Sequence, residues 1–162
     1  MSLLRQWWSY LLSKRSEVAA LDYKDAYMAK VILDIHRLRG DKAQALVPLH
    51  ALAPIHRIDR ENARQATSAR AQALAARREE LLARGRLDLA ALAEIIPSVS
   101  QIKVVRDGER WLAFEGNGRL YAMLEAFGEG CALLVEVEEY RFDRPHKILR
   151  RLRRVRRLNT LE

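Results

Sequence analysis

The stretch Gln101–Tyr140, QIKVVRDGERWLAFEGNGRLYAMLEAFGEGCALLVEVEEY, brings strand, tight turn and a glycine-flanked helix start into close succession. Ile102, Val104 and the run Trp111–Phe114 carry the β-branched and aromatic residues of strands. Asp107-Gly108 between them is a hairpin signal, because glycine readily takes positive φ. The spacing predicts antiparallel strands over 101–106 and 110–114. The second strand runs into Glu115-Gly116-Asn117-Gly118-Arg119. Beyond it Leu120, Met123, Leu124 and Phe127 recur at helical intervals and stop at Gly128, which places the helix start at Asn117 or Gly118. A strand-to-helix corner with two glycines lets backbone approach a ligand closely and directs free N–H groups and the positive end of the helix dipole at it. Glycines at such a corner also serve turn geometry alone, and the motif lacks the spacing of a P-loop or a GxGxxG fingerprint.

The wider segment, residues 44–140, resembles the ParB/sulfiredoxin-like superfamily, whose pattern is a helix, a strand pair, a G-x-x-R-x-x-A corner opening a helix, and a further strand. Gly116, Arg119 and Ala122 match the glycine, arginine and alanine of that corner. Leu89–Ile96 is similar to the preceding helix, Leu133–Val137 to the following strand, and Ala45–Arg57, ALVPLHALAPIHR, to the opening strand and loop. The resemblance implies an α/β (α+β) fold and a phosphate-bearing ligand, a nucleotide with Mg²⁺ or nucleic acid, held by Gly116, Asn117, Gly118 and Arg119. Some members phosphorylate small molecules with a carboxylate before the corner, which here is Glu115. Two departures qualify the match. Partition proteins add two arginines that hold a triphosphate, and those positions are Gly118 and Tyr121. Sulfiredoxins place a reactive cysteine where this chain has Asn117, so that chemistry is excluded at this position.

At 162 residues, 49% apolar and 31% charged, the composition fits one globular domain with an appendage. A single cysteine, Cys131, excludes an internal disulfide and fits a reducing compartment, and it reads as a buried, inert thiol. No apolar run approaches the roughly 20 residues of a membrane span, and Met1–Leu12 lacks the form of a signal peptide, so the cytoplasm is expected. The net charge is +8, but residues 141–162 hold nine Lys/Arg against two acids, a surplus of seven, leaving about +1 for the remainder. In this tail Ile148, Leu152 and Val155 form one helical stripe with Leu149, Leu158 and Leu161 beside it. Lys147, Arg150, Arg151, Arg153, Arg154, Arg156 and Arg157 surround them, and Pro145 suits a first turn. Three readings are open: the apolar face packs on the domain and the cations are solvated, the cations bind nucleic acid or another polyanion, or the helix lies on an anionic membrane.

Residues 1–43 read as a helical extension. Leu4, Trp7, Trp8, Leu11 and Leu12 follow one face, suited to packing, to a dimer contact and hence a homo-oligomer, or to a membrane boundary. Asp22 is placed to cap a second helix in which Ala26, Ala29, Ile32, Leu33 and His36 recur until Gly40. Residues 62–84 predict a further helix ended by Gly85, and residues 87–96 a shorter one before Pro97. None of His36, His50, His56 and His146 has a second ligand at metal spacing on its own element, so no metal site is expected.

The sequence thus supports two classes of function. In one the chain is a ParB-like binding or regulatory module for nucleic acid or a nucleotide. In the other it is a small-molecule kinase or nucleotide hydrolase of the same fold with Glu115 as base. The module is favoured, and a non-catalytic scaffold acting through the Trp7/Trp8 helix is a third reading.

Overall fold

The computed structural model describes residues 23–97 and 100–161 and folds around one six-stranded mixed sheet, an α/β architecture. The strands are β1 (Asp41–Pro48), β2 (Leu52–Pro54), β3 (Arg86–Leu87), β4 (Ile102–Asp107), β5 (Arg110–Glu115) and β6 (Leu134–Arg141). Their order is β1-β6-β4-β5-β2, with β3 beside β6. The β4–β5 and β1–β6 pairs are antiparallel, and β6 with β4, β5 with β2 and β3 with β6 are parallel. The helices are α1 (Tyr23–Leu38), α2 (Glu61–Ala75), α3 (Arg78–Arg84), α4 (Leu89–Ile95), α5 (Asn117–Phe127) and α6 (Pro145–Leu158).

The central strands feed two cores, because successive side chains point to opposite faces. Val104 and Ala113 join a core with Leu74, Leu81, Leu92, Leu120 and Met123 from α2 to α5. Val105, Leu112 and Phe114 join a second core with Val31 and Ile35 of α1 and Ile148, Leu152 and Val155 of α6. The helical segment after residue 22 and the basic tail therefore form the second outer layer of the sheet. Asp34 and Arg151 join the two helices at 2.5 Å, and Arg154 reaches the Tyr23 hydroxyl at 3.0 Å.

Several local expectations shift. The hairpin loop is Gly108-Glu109 rather than Asp107-Gly108, since Asp107 pairs with Arg110. Asp107 stays in the strand, where Arg153 grips its carboxylate with two hydrogen bonds of 2.6 and 3.0 Å. The helix expected over 62–84 is two, because Arg77 leaves helical geometry at φ −116° before α3 begins, and Leu81 of α3 shares the core of Leu74. The helix expected from Leu87 begins at Leu89, because Asp88 caps it by accepting from the Ala91 N–H and Leu87 is drawn into β3. On α1 the inward stripe is Val31 and Ile35, while Leu33 faces solvent. Cys131 lies in the loop before β6, half-buried rather than buried. The Trp7/Trp8 helix and Asp22 lie outside the described residues.

Candidate anion-binding site

The end of β5 turns into α5 at Gly116, which caps the helix with a left-handed backbone (φ 89°) and offers no side chain to its free N–H groups. A Cβ there would stand 3.0 Å from Arg119 Nη2 and from Ile102 Cγ1. Glycine is therefore required both by conformation and by the guanidinium packed over it. The first N–H groups of α5 have no acceptor within the helix, so the corner is electropositive by construction.

Two arginines close on this corner. Arg119 is more than half buried and donates to the carbonyls of Ser100 and Gln101, and among the described residues it pairs with no carboxylate. Burial lowers the basicity of its guanidinium and the neighbouring charge of Arg70 lowers it further, only partly opposed by Glu115. Arg70 comes from α2, and its Nη1 lies 3.2 Å from where a Cβ of Gly118 would be. Among the described residues it has no ion pair. Thr67, one turn earlier on α2, is 7% exposed, and its Oγ1 has no hydrogen-bond partner among the described residues. That hydroxyl lies 3.5 Å from the same Gly118 Cβ position, so it is aimed at the first turn of α5. Two like charges and an idle buried hydroxyl at a helix N-terminus are each unfavourable without a ligand, and an anion would satisfy all of them.

Thr67 also lines a cleft of about 670 Å³ between α2 and α5, whose walls include Arg57, Arg64, Tyr121, Leu124, Glu125 and Leu161. Burial pushes the Tyr121 phenol above its ordinary value, so it remains a neutral ring with a hydroxyl to donate. The cleft has the size of a small-ligand site.

The predicted corner residues behave differently from one another. Gly116, Gly118 and Arg119 form the corner, but the side chain of Asn117 points into the protein. It is 3% exposed, accepts from the Ile55 N–H at 2.9 Å and donates to the Ala113 carbonyl at 2.8 Å. Only its backbone is left for a ligand. Glu115 faces away from the corner. The β4–β5 register passes from Val104–Ala113 to Lys103–Glu115, which makes Phe114 the extra residue of a β-bulge. The bulge turns Glu115 to the α1 side, where it meets Lys103 at 2.5 Å and His36 at 2.6 Å. Burial pushes its carboxyl up, but the hydrogen bonds from Lys103 and His36 outweigh this and hold it below the usual glutamate range. A carboxylate so occupied is a poor general base. Its folded-state value is depressed, so its contribution to stability is present above about pH 4.5 and is lost as pH falls through the lower folded value. Glu115→Gln is thus expected to lose less stability than wild type between about pH 5 and pH 3 in urea titrations; equal losses would detach Glu115 from acid sensitivity.

The tail cations also divide. Arg151 is held by Asp34, Arg153 by Asp107, and Arg156 is buried with its guanidinium on the carbonyls of Pro54 and Leu161. Lys147, Arg150, Arg154 and Arg157 are exposed. Among the described residues no group of three or more His, Cys, Asp or Glu is placed to hold a metal ion, and no helix is long and apolar enough to cross a membrane. No family model matches the chain, and neither a curated protein nor a solved structure matches it. Thr67 and Arg70 went unread in the sequence, where they are ordinary residues of an Ala/Arg-rich helix some fifty positions from the corner; nothing local marks them.

Proposed function

We propose that the chain is a ParB-like binding module whose α5 corner takes the phosphate of a nucleotide-sized ligand, with the rest of that ligand in the cleft against Tyr121 and Leu124. The observation that carries this reading is the convergence of Arg70, Arg119 and the unpartnered Thr67 hydroxyl on the first turn of α5. With Gly118 and Tyr121 in place of further arginines, the corner suits a single phosphate group better than a triphosphate. Glu115 is assigned no catalytic role, because its carboxylate is engaged by Lys103 and His36 on the other side of the strand.

Calorimetric titration with inorganic phosphate and with ATP, CTP and GTP, each with and without Mg²⁺, tests the proposal. Arg70→Ala is the clean variant, since Arg70 supports no ion pair among the described residues. It is expected to weaken phosphate binding by about 1.5–3 kcal/mol, the scale of a hydrogen bond to a charged group, with a melting temperature no lower than that of wild type. Arg119→Ala is expected to cost a similar amount in binding and also some stability, through the Ser100 and Gln101 carbonyls. Absence of binding by every probe, or equal affinity of wild type and Arg70→Ala, overturns the reading.

A further inference from the structure

The outer surface of α6 presents a second feature that the corner does not use. Lys147, Arg150, Arg154 and Arg157 are all exposed, and none has a carboxylate partner among the described residues. At 3.6 residues per turn these four positions fall within about 80° of one another around the helix and span about 15 Å of its length. They make a straight stripe of like charge. The two acids that bond to the helix, Asp34 and Asp107, are engaged by Arg151 and Arg153 and not by the stripe. Arg154 is braced by neutral partners, the Tyr23 hydroxyl at 3.0 Å and the Tyr27 ring with its centroid 4.9 Å away, which orient the guanidinium and leave its charge. Crowding cations in this way is unfavourable unless something anionic lies against them.

We infer that this stripe is a docking surface for the phosphodiester backbone of a nucleic acid, bound without reading the bases. Its length fits: about 15 Å of duplex axis carries roughly four phosphates on each strand, one per cation of the stripe. The polarity of the helix separates this partner from a lipid surface, because Ile148, Leu152 and Val155 are buried against the sheet and leave α6 no apolar face to insert. Four long cations contacting phosphates position a duplex but carry no sequence information. The inference is independent of the α5 corner.

Fluorescence anisotropy with a labelled duplex of arbitrary sequence tests it on the full chain. Neutralising about four phosphates predicts a slope near −3.6 in log affinity against log salt, hence about a 100-fold loss between 50 and 200 mM salt. The variant Lys147→Gln/Arg150→Gln/Arg157→Gln leaves one stripe cation, and its slope is expected to shrink to about −1. Its melting temperature should not fall below that of wild type and its phosphate binding at the corner should be unchanged, since these side chains support neither. A duplex of scrambled sequence should bind equally. No binding at 50 mM salt, an unchanged slope in the triple variant, or binding to phosphatidylserine vesicles with none to duplex would each overturn the inference.

Discussion

A chain truncated after Asp143 is expected to lose its cooperative fold. The cut removes α6, and with it Ile148, Leu152 and Val155, which are 2%, 0% and 0% exposed. Burial of such side chains is worth about 1.5–3 kcal/mol each, so the loss is about 5–9 kcal/mol. That approaches the whole stability of a domain of this size. The cut also strips α6 from the core it shares with Val105, Leu112 and Phe114 and leaves Asp107 without Arg153. Circular dichroism melting is the measurement. A truncated protein that melts cooperatively within a few degrees of the full chain would show that α6 is an accessory and not a layer of the core. Leu152→Ala is the graded form of the experiment, with an expected cost of about 2–5 kcal/mol. Deletion of the tail is therefore unsuited to testing polyanion binding, and replacement of its exposed cations is the informative route.

Asn117→Ala is expected to destabilise by about 2–6 kcal/mol, because it strips two buried backbone groups of their partners and each costs about 1–3 kcal/mol when unmatched. Those groups are the Ile55 N–H and the Ala113 carbonyl, which the Asn117 amide links across the β2–β5 pair at the point where α5 begins. Asn117→Asp keeps the acceptor for Ile55 and loses the donor for Ala113, so it should fall between wild type and alanine near neutral pH. Urea midpoints for the three proteins decide the matter. A change below about 0.5 kcal/mol for alanine would mean that water replaces the amide at no cost. The expected result would also separate Asn117 from Arg70: the first acts on stability and the second on affinity, although both border the same corner.

What could be read along the chain was what neighbouring residues determine among themselves. The hairpin followed from β-branched runs flanking a glycine, the start of α5 from two glycines before a helical repeat, and α6 from Pro145 with Ile148, Leu152 and Val155 at helical spacing. Turn preference, capping and apolar periodicity act over a few residues, so a local pattern states them nearly completely. Small displacements, such as the loop at Gly108-Glu109, arose where a distant partner competed, as Arg153 does for Asp107.

Which charges are spent and which are left over was settled only by the tertiary structure. Six arginines within eight residues read alike in the sequence, yet Asp34 holds one from 117 positions away, Asp107 holds another from 46, and the Pro54 and Leu161 carbonyls hold a third inside the protein. The β-bulge at Phe114 turned Glu115 from the corner toward His36 and Lys103. The packing of α2 on α5 brought Thr67 and Arg70 to Gly118. A local sequence specifies where a side chain sits on its own helix or strand, but the field and the hydrogen-bond partners it meets depend on how the sheet orders its strands. That order is set by burying the two apolar faces of the sheet, to which residues from every part of the chain contribute.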